Sequence, residues 1–309
     1  MSRGEDRVVA LWNGIPSTLV HTRDGENSVY EFRSDRSRYF LRLTEESHRT
    51  RSQLEAELDF VMFASSRGIA VACPIASNAG SYVEGVTLDR EGSWHAVVFA
   101  AAEGDHFQYF SRDVDRPLFR AWGSAMAALH EASRDFEPHP SRRRPSWTDQ
   151  DTTVCDVTSL PVTEAEARRE YARVADWLRS LNVTAENWGL IHGDFERTNF
   201  VLRNGTLQVY DFDDACYHWY VADIAHALWA FRRAPPGDRG RFLEWFLEGY
   251  GERRSVGAEA REQLSWFVRL RSVSLFINRL YRNRTFERVD ATGEWAGRLR
   301  AEFENPFSW

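Results

Sequence analysis

Apolar and polar residues alternate in short runs from Ser17 to Thr44, interrupted at Arg23-Asp24-Gly25-Glu26-Asn27 by residues that favour turns. This period of two predicts a hairpin followed by a further strand. The second strand is expected over about 28–33 and the third over about 38–43, with Tyr39, Leu41 and Leu43 on one face and Phe40 and Arg42 on the other. Leu54, Leu58, Val61 and Met62 then recur at helical spacing and predict an amphipathic helix over about 50–66, ending near Gly68. Residues 69–75 return to extended chain. Gly80 turns the chain into a strand over 82–86, and a strongly apolar run over 94–102 stops at Glu103-Gly104. The first third of the chain is therefore a small antiparallel sheet with one main helix.

Beyond Gly104 the periodicity becomes helical, over 118–131 and 163–181. The stretch between, 138–160, holds Pro138, Pro140, Pro145 and the run Arg142-Arg143-Arg144. It reads as a long irregular loop whose basic run is a solvated or carboxylate-paired patch rather than a phosphate site. Two short extended pieces, 200–203 and 207–210, flank Asn204-Gly205, the strongest short-range hairpin signal. Helices resume over 222–232, 239–249, 258–282 and 294–303, the first two separated by Pro235-Pro236-Gly237.

Composition narrows the function classes. The 309 residues, 43% hydrophobic and 28% charged, are ordinary for a packed globular chain. A formal charge of −7 argues against a nucleic-acid footprint and mildly favours neutral or cationic small partners, although solubility explains it equally well. All 39 basic residues are arginine. Cys73, Cys155 and Cys216 have no CxxC spacing, so buried free thiols in a reducing compartment are expected rather than disulfides or zinc. The N-terminal residues do not read as a signal peptide, and no apolar run approaches the roughly 20 residues that span a bilayer, so a cytoplasmic protein is expected.

The chemistry is concentrated in His192-Gly193-Asp194-Phe195-Glu196-Arg197-Thr198-Asn199, followed after the hairpin by Asp211-Phe212-Asp213-Asp214-Ala215. In kinase-type phosphoryl transfer one Asp accepts the proton of the acceptor hydroxyl, an Asn five residues later holds magnesium, and an Asp beyond a short hairpin holds the metal again. Asp194, Asn199 and Asp211 have that order and spacing. Such catalysis rests on positioning and charge neutralisation, which hard oxygen ligands around magnesium provide. A lone HGD would equally be an ordinary turn; the combined pattern argues otherwise.

These motifs resemble those of the aminoglycoside phosphotransferase and choline kinase-like family, which has a protein-kinase-like fold. Further similarity lies in the helix ending Ala127-Ala128-Leu129-His130 and in Ala222-Asp223-Ile224-Ala225, and the resemblance covers most of residues 15–285. It implies an α+β, bilobal architecture: an N-terminal nucleotide-binding lobe over 1–102 ending at a hinge, and a larger, mainly helical catalytic and substrate-binding lobe over 103–309. It also implies roles. Asp194 is the catalytic base, and Asn199 and Asp211 hold the metal. Gly25 and Ser28 lie in the turn over the ATP phosphates. Arg42 stands where these kinases place a phosphate-bridging Lys, with Glu57 as its carboxylate partner and Glu55 as the competing one. Ala100 and Ala102 offer hinge backbone to adenine. Asp223 buttresses the catalytic loop, His192 is a structural hydrogen-bonding residue, and Asp213 assists the metal through water. Arginine at position 42 is not a neutral replacement for lysine, because its fork is bidentate and permanently charged. The run Cys216-Tyr217-His218-Trp219-Tyr220 is expected to border the acceptor pocket.

The function implied is a small-molecule kinase that uses ATP and Mg2+, GTP remaining open, to phosphorylate a hydroxylated small molecule. An antibiotic leads as acceptor. The alternatives are a metabolic kinase of the homoserine or choline kinase type and a nucleotide-binding pseudokinase acting as an interaction module. Neither nucleic acid nor membrane is expected as a partner, and the oligomeric state is left open.

Overall fold

The structure is a computed structural model that describes residues 4–107, 114–149, 160–282, 292–305 and 307. Cys155, most of the second half of the 138–160 loop and three residues of the C-terminal stretch fall outside the described residues. The fold is α+β and divides into two compact units. The first comprises Met1–Gly104, Phe136–Arg144 and Gln208–Asp213, the second Asp105–Asp135, Pro145–Leu207 and Asp214–Trp309.

The first unit is built on an antiparallel sheet of six strands: β1 (Val20–Arg23), β2 (Asn27–Ser34), β3 (Ser37–Glu45), β4 (Pro74–Ile75), β5 (Glu84–Val86) and β6 (Trp94–Ala100). The order is β1-β2-β3-β6-β4, with β5 also pairing β6. Alternation along β3 sends Leu41 and Leu43 to one face, where they pack with Phe32, Ala96 and Val98 against Val8, Val9 and Trp12. Those last residues belong to a short N-terminal helix α1 (Gly4–Val9) and the turn after it. Six residues are too few to show a helical period, so pattern reading passes over this element. Arg42 points to the other face, where α2 (Arg51–Ser66) lays Leu54 and Leu58 on Val83 and Val97.

α2 begins where Thr50 and Gln53 form a capping box and ends where Gly68 takes φ +80°. The stretch expected to be extended over 69–75 is a strand only at β4. Residues 70 and 72 bond instead to Val209, each way at 2.9 Å, which ties 208–213 into this unit. Phe136 packs on Phe60 and Phe63, and Arg142 of the basic run pairs with Asp59 and Glu55, both at 3.1 Å, whereas Arg144 is buried and donates to the backbone carbonyls of Gln53 and Asp213.

The second unit is mainly helical: α3 (Arg116–Asp135), α4 (Ala165–Ser180), α5 (Tyr220–Leu228), α6 (Pro236–Tyr250), α7 (Ala258–Ile277) and α8 (Glu294–Glu304). α3 meets α6 at Gly123 and Gly249, where a Cβ would lie 2.0 Å from the carbonyl oxygen of Phe246 and 1.9 Å from that of Arg120. Trp122 sits fully buried among Phe119, Phe195, Phe200, Phe231 and Phe246. β7 (Trp188–Ile191) pairs antiparallel with β10 (Cys216–Trp219), so the aromatic run read as a pocket border is first of all a strand. β8 (Phe200–Arg203) and β9 (Thr206–Val209) form the expected hairpin, with φ of +52° at Asn204 and +79° at Gly205. The helix expected over 258–282 closes at Ile277 and passes into a π-helical turn, Asn278–Arg282. Among the described residues no helix is long and apolar enough to cross a membrane.

Candidate active site

In the second unit the chain leaves β7 through His192-Gly193-Asp194, and each backbone N–H of this turn is held. Gly193 has φ +82°, and a Cβ there would stand 2.3 Å from the carbonyl oxygen of Asp214, so only glycine fits. Asp223, in the first turn of α5, accepts the N–H of His192 at 2.9 Å and of Gly193 at 3.0 Å. Its Oδ2 also meets Nε2 of His130 at 3.2 Å, and Nδ1 of His130 meets the Tyr250 hydroxyl at 2.9 Å. The network assigns the His130 proton to Nε2, leaving Nδ1 to accept from Tyr250. Burial opposes the Asp223 charge, but the hydrogen bonds from His130 and from the His192 N–H outweigh it and hold the carboxyl below its ordinary range. Burial pushes His130 down as well.

His226 Nδ1 donates to the Gly193 carbonyl at 3.1 Å, and burial drives this imidazole down to about 3, so it is neutral. His192 uses Nδ1 to accept the Asp194 N–H at 3.3 Å and stacks on Phe195 at 5.2 Å between centroids. It therefore supports the turn. Trp122 donates its indole N–H to the Phe195 carbonyl at 3.1 Å.

The Asn199 side chain completes the turn. Its Nδ2 donates to the backbone carbonyl of Asp194 at 2.7 Å and to Oδ2 of the same residue at 2.9 Å. With its N–H groups so used, Asn199 keeps its amide oxygen as a hard ligand. The other carboxylate oxygen of Asp194 accepts from Arg271 of α7, which also reaches Glu196 at 3.1 Å. Burial pushes the Asp194 carboxyl up, Arg271 opposes this, and Glu196 reinforces it.

The first unit holds the residues expected to meet the nucleotide. Arg42 is buried and paired with Glu57 through two hydrogen bonds of 2.9 and 2.7 Å, while its guanidinium lies 5.2 Å from the Phe99 ring centroid. Glu55 instead pairs with Arg51 at 2.9 Å and with Arg142. Burial works against the Arg42 charge, but Glu57 and Asp213 outweigh it and raise its pKa, so it stays a cation. Gly25 is half-buried in the turn between β1 and β2. Ser28 is buried at the start of β2, with its hydroxyl 3.4 Å from two nitrogens of Arg90. The Ala100 N–H donates to the Cys73 carbonyl at 2.9 Å, and the Ala102 carbonyl accepts from Arg38 at 3.5 Å.

Asp211 has φ +67°, an uncommon conformation for a residue with a Cβ and one found at functional sites. Its carboxylate meets Arg23, at the end of β1, at 3.2 Å. Two residues on, Asp213 is a buried hub. Asn27 donates to it at 3.1 Å, His48 approaches at 3.0 Å and Arg49 at 3.5 Å, while Arg49 and Arg144 bond its backbone carbonyl. Burial opposes the Asp213 charge, but Arg49, the His48 hydrogen bond and Arg42 hold the carboxyl well below the ordinary range. Glu26, His48 and Asp213 bring ligand-type atoms within 4.8 Å of one another. The arginines around Asp213 make this an ion-pair network hostile to a cation. Hard oxygens of the kind that suit magnesium are carried by Asn199 in the second unit and by Asp211 in the first.

Within each unit, then, the structure joins Asp194 with Asn199, His192 and Gly193 with Asp223, and Arg42 with Glu57. Sequence reasoning quoted the helix ending at His130 without giving that residue a role. It placed Asn27 only in a turn and Arg144 only in the basic run, and assigned nothing to His48, Arg49 or Arg271, for which no motif or spacing offers a signal.

The model of the Phosphotransferase enzyme family matches residues 19–267. Amicoumacin kinase of Bacillus subtilis (strain 168) is 27% identical over 262 residues, which are 82% of this chain and 77% of that protein. Among solved structures, the amicoumacin kinase hAmiN in complex with AMP-PNP, Ca2+ and Ami is 25% identical, with a TM-score of 0.87 over 98% of this chain and 94% of that one. A microcompartment-associated aminopropanol kinase is 21% identical, with a TM-score of 0.75 over the same shares, and so agrees in fold. With its family model running from the first strand of the sheet into α7, across the HGDxxxxN turn, this chain belongs to the Phosphotransferase enzyme family.

Proposed function

We propose that this phosphotransferase moves the γ-phosphoryl group of ATP, with magnesium, onto a hydroxyl of a small molecule, and that the acceptor is an antibiotic. The observation that carries the reading is the Asn199 amide bridging the backbone and carboxylate of Asp194, which fixes a base and keeps a metal-ligand oxygen in one side chain. Asp194 orients the acceptor hydroxyl and takes its proton. Asn199 and Asp211 hold the magnesium, whose charge when bound offsets that of the phosphates. Arg42, locked by Glu57, steadies the phosphates, with Gly25 and Ser28 in the turn above them. Backbone groups of Ala100 and Ala102 meet the adenine edge. His192 and Asp223 keep the catalytic turn in shape, and Asp213 does the same for the segment carrying Asp211.

The antibiotic class is supported by the likeness to the two amicoumacin kinases. Dependence on ATP and the free thiols of Cys73 and Cys216 fit a cytoplasmic location. A pseudokinase module would have no use for a carboxylate held in this way.

The test is a mass-spectrometric screen of hydroxylated antibiotics, amicoumacin included, and amino alcohols with protein, ATP and magnesium. A product 80 Da heavier is expected with the wild type, and Asp194→Asn should lower its rate by about 10²- to 10⁴-fold. Equal background ATP turnover by both proteins, without product, would contradict the reading.

A further inference from the structure

We propose that Arg271 is a positioning residue for phosphoryl transfer: it fixes the Asp194 carboxylate from the side opposite Asn199, so that the base is held at both oxygens. The inference rests on the functional reading above. Asn199 holds Oδ2 at 2.9 Å, while Nη2 of Arg271 bonds Oδ1 and the same nitrogen reaches Glu196 at 3.1 Å. A carboxylate restrained at one oxygen can still turn about its last bond. Restrained at both, it presents one set of lone pairs to an incoming hydroxyl.

Arg271 lies on the buried side of α7 among Phe267, Val268 and Leu270, and only 6% of it is exposed. Charged side chains are almost never so buried unless paired. Stability alone is a poor explanation, because replacing a buried ion pair with apolar residues is often neutral or favourable. What the arginine gains is the orientation of one particular carboxylate, and Glu196 anchors it for that task. Asp194, Glu196 and Asp214 all contribute negative charge around the guanidinium, so the three carboxylates would repel one another without it. A contact made by Arg271 to the acceptor itself is the competing role, and kinetics separate the two.

The experiment compares wild type, Arg271→Ala, Arg271→Lys and Glu196→Gln with the acceptor found in the screen above. A displaced base costs rate rather than binding, and misplacement by about 1 Å can cost 10²-fold. Arg271→Ala should therefore lower kcat by at least about tenfold with KM for ATP and acceptor within about twofold. Added guanidinium at non-denaturing concentration should restore part of the rate, Arg271→Lys should recover more, and Glu196→Gln should give a smaller loss of kcat. A preserved kcat with a raised acceptor KM would overturn the proposal.

A second measurement needs no turnover: a double-mutant cycle of Asp194→Asn and Arg271→Met, read from urea unfolding. Coupling of about fivefold or more in the unfolding constant is expected, and coupling below about twofold overturns the pairing. Should the wild type phosphorylate nothing, the functional reading fails on its own, and this cycle still decides whether Arg271 holds Asp194.

Discussion

Removal of Glu57 probes the buried pair on which the nucleotide half of the reading depends. Both partners are nearly dry, with side-chain exposure of 1% for Glu57 and 5% for Arg42, and the carboxylate meets the guanidinium through two hydrogen bonds. Truncation to alanine leaves the guanidinium buried without its main partner, a situation that costs about 3–5 kcal/mol. Asp213 and Asp211 also favour the Arg42 charge, so the lower end of that range is expected, about 3 kcal/mol. Glu57→Gln keeps one acceptor oxygen and should cost less, about 2 kcal/mol. Urea unfolding gives the stability change from a shift in midpoint at unchanged slope. The same variants should raise the KM for ATP, because an Arg42 no longer clamped by Glu57 loses its fixed orientation. The reasoning is refuted if Glu57→Ala unfolds within about 0.5 kcal/mol of wild type and binds ATP unchanged.

Gly193→Ala should abolish most phosphotransfer even where the protein folds, since φ is +82° and the new Cβ would sit 2.3 Å from the Asp214 carbonyl oxygen; circular dichroism beside the product assay separates the two effects. Gly249→Ala places a Cβ 1.9 Å from the Arg120 carbonyl oxygen, so α6 must move off α3, and a loss of at least about 3 kcal/mol is expected in urea unfolding, with no loss counting against the packing described.

Acid should weaken the protein well before its carboxylates protonate. His226 titrates at about 3 when folded, against 6.5 as the ordinary value, so below pH 6.5 the unfolded chain binds a proton that the native one refuses. The stability is fully present above pH 6.5 and falls by about 2 kcal/mol at pH 5 from this residue alone. Burial acts on His130 and His218 in the same direction. A urea midpoint that stays flat between pH 7 and pH 5 would refute this.

The period-two runs and the α2 pattern were legible because a half-buried strand and an amphipathic helix must each show their face in the order of residues, and alternation alone put Arg42 on the face opposite Leu41 and Leu43, which the fold covers with α2. Asn204-Gly205 announced its hairpin because few other residue pairs tolerate two positive φ angles. The order of Asp194, Asn199 and Asp211 was equally plain, since the turn and hairpin that carry them are local. What stayed illegible was everything made by distance along the chain. α1 was too short to show a period, and Cys216–Trp219 looked like an aromatic run until its partner strand was known.

The same boundary runs through the candidate site. Local sequence determined which residues form the HGDxxxxN turn, because glycine at 193 and the five-residue spacing from Asp194 to Asn199 are properties of a short segment. The family resemblance already pointed to Asp223 as holding that turn, and tertiary structure supplied the rest: His130 meets Asp223 across 93 residues and Arg271 meets Asp194 across 77, while in the first unit Asn27 and Asp213 are joined across 186. No pattern in one segment can encode a partner supplied by another, since a buried charge needs a counter-charge wherever the fold can bring one, and the choice between Glu57 and Glu55 for Arg42 was settled by which side of α2 faces the sheet.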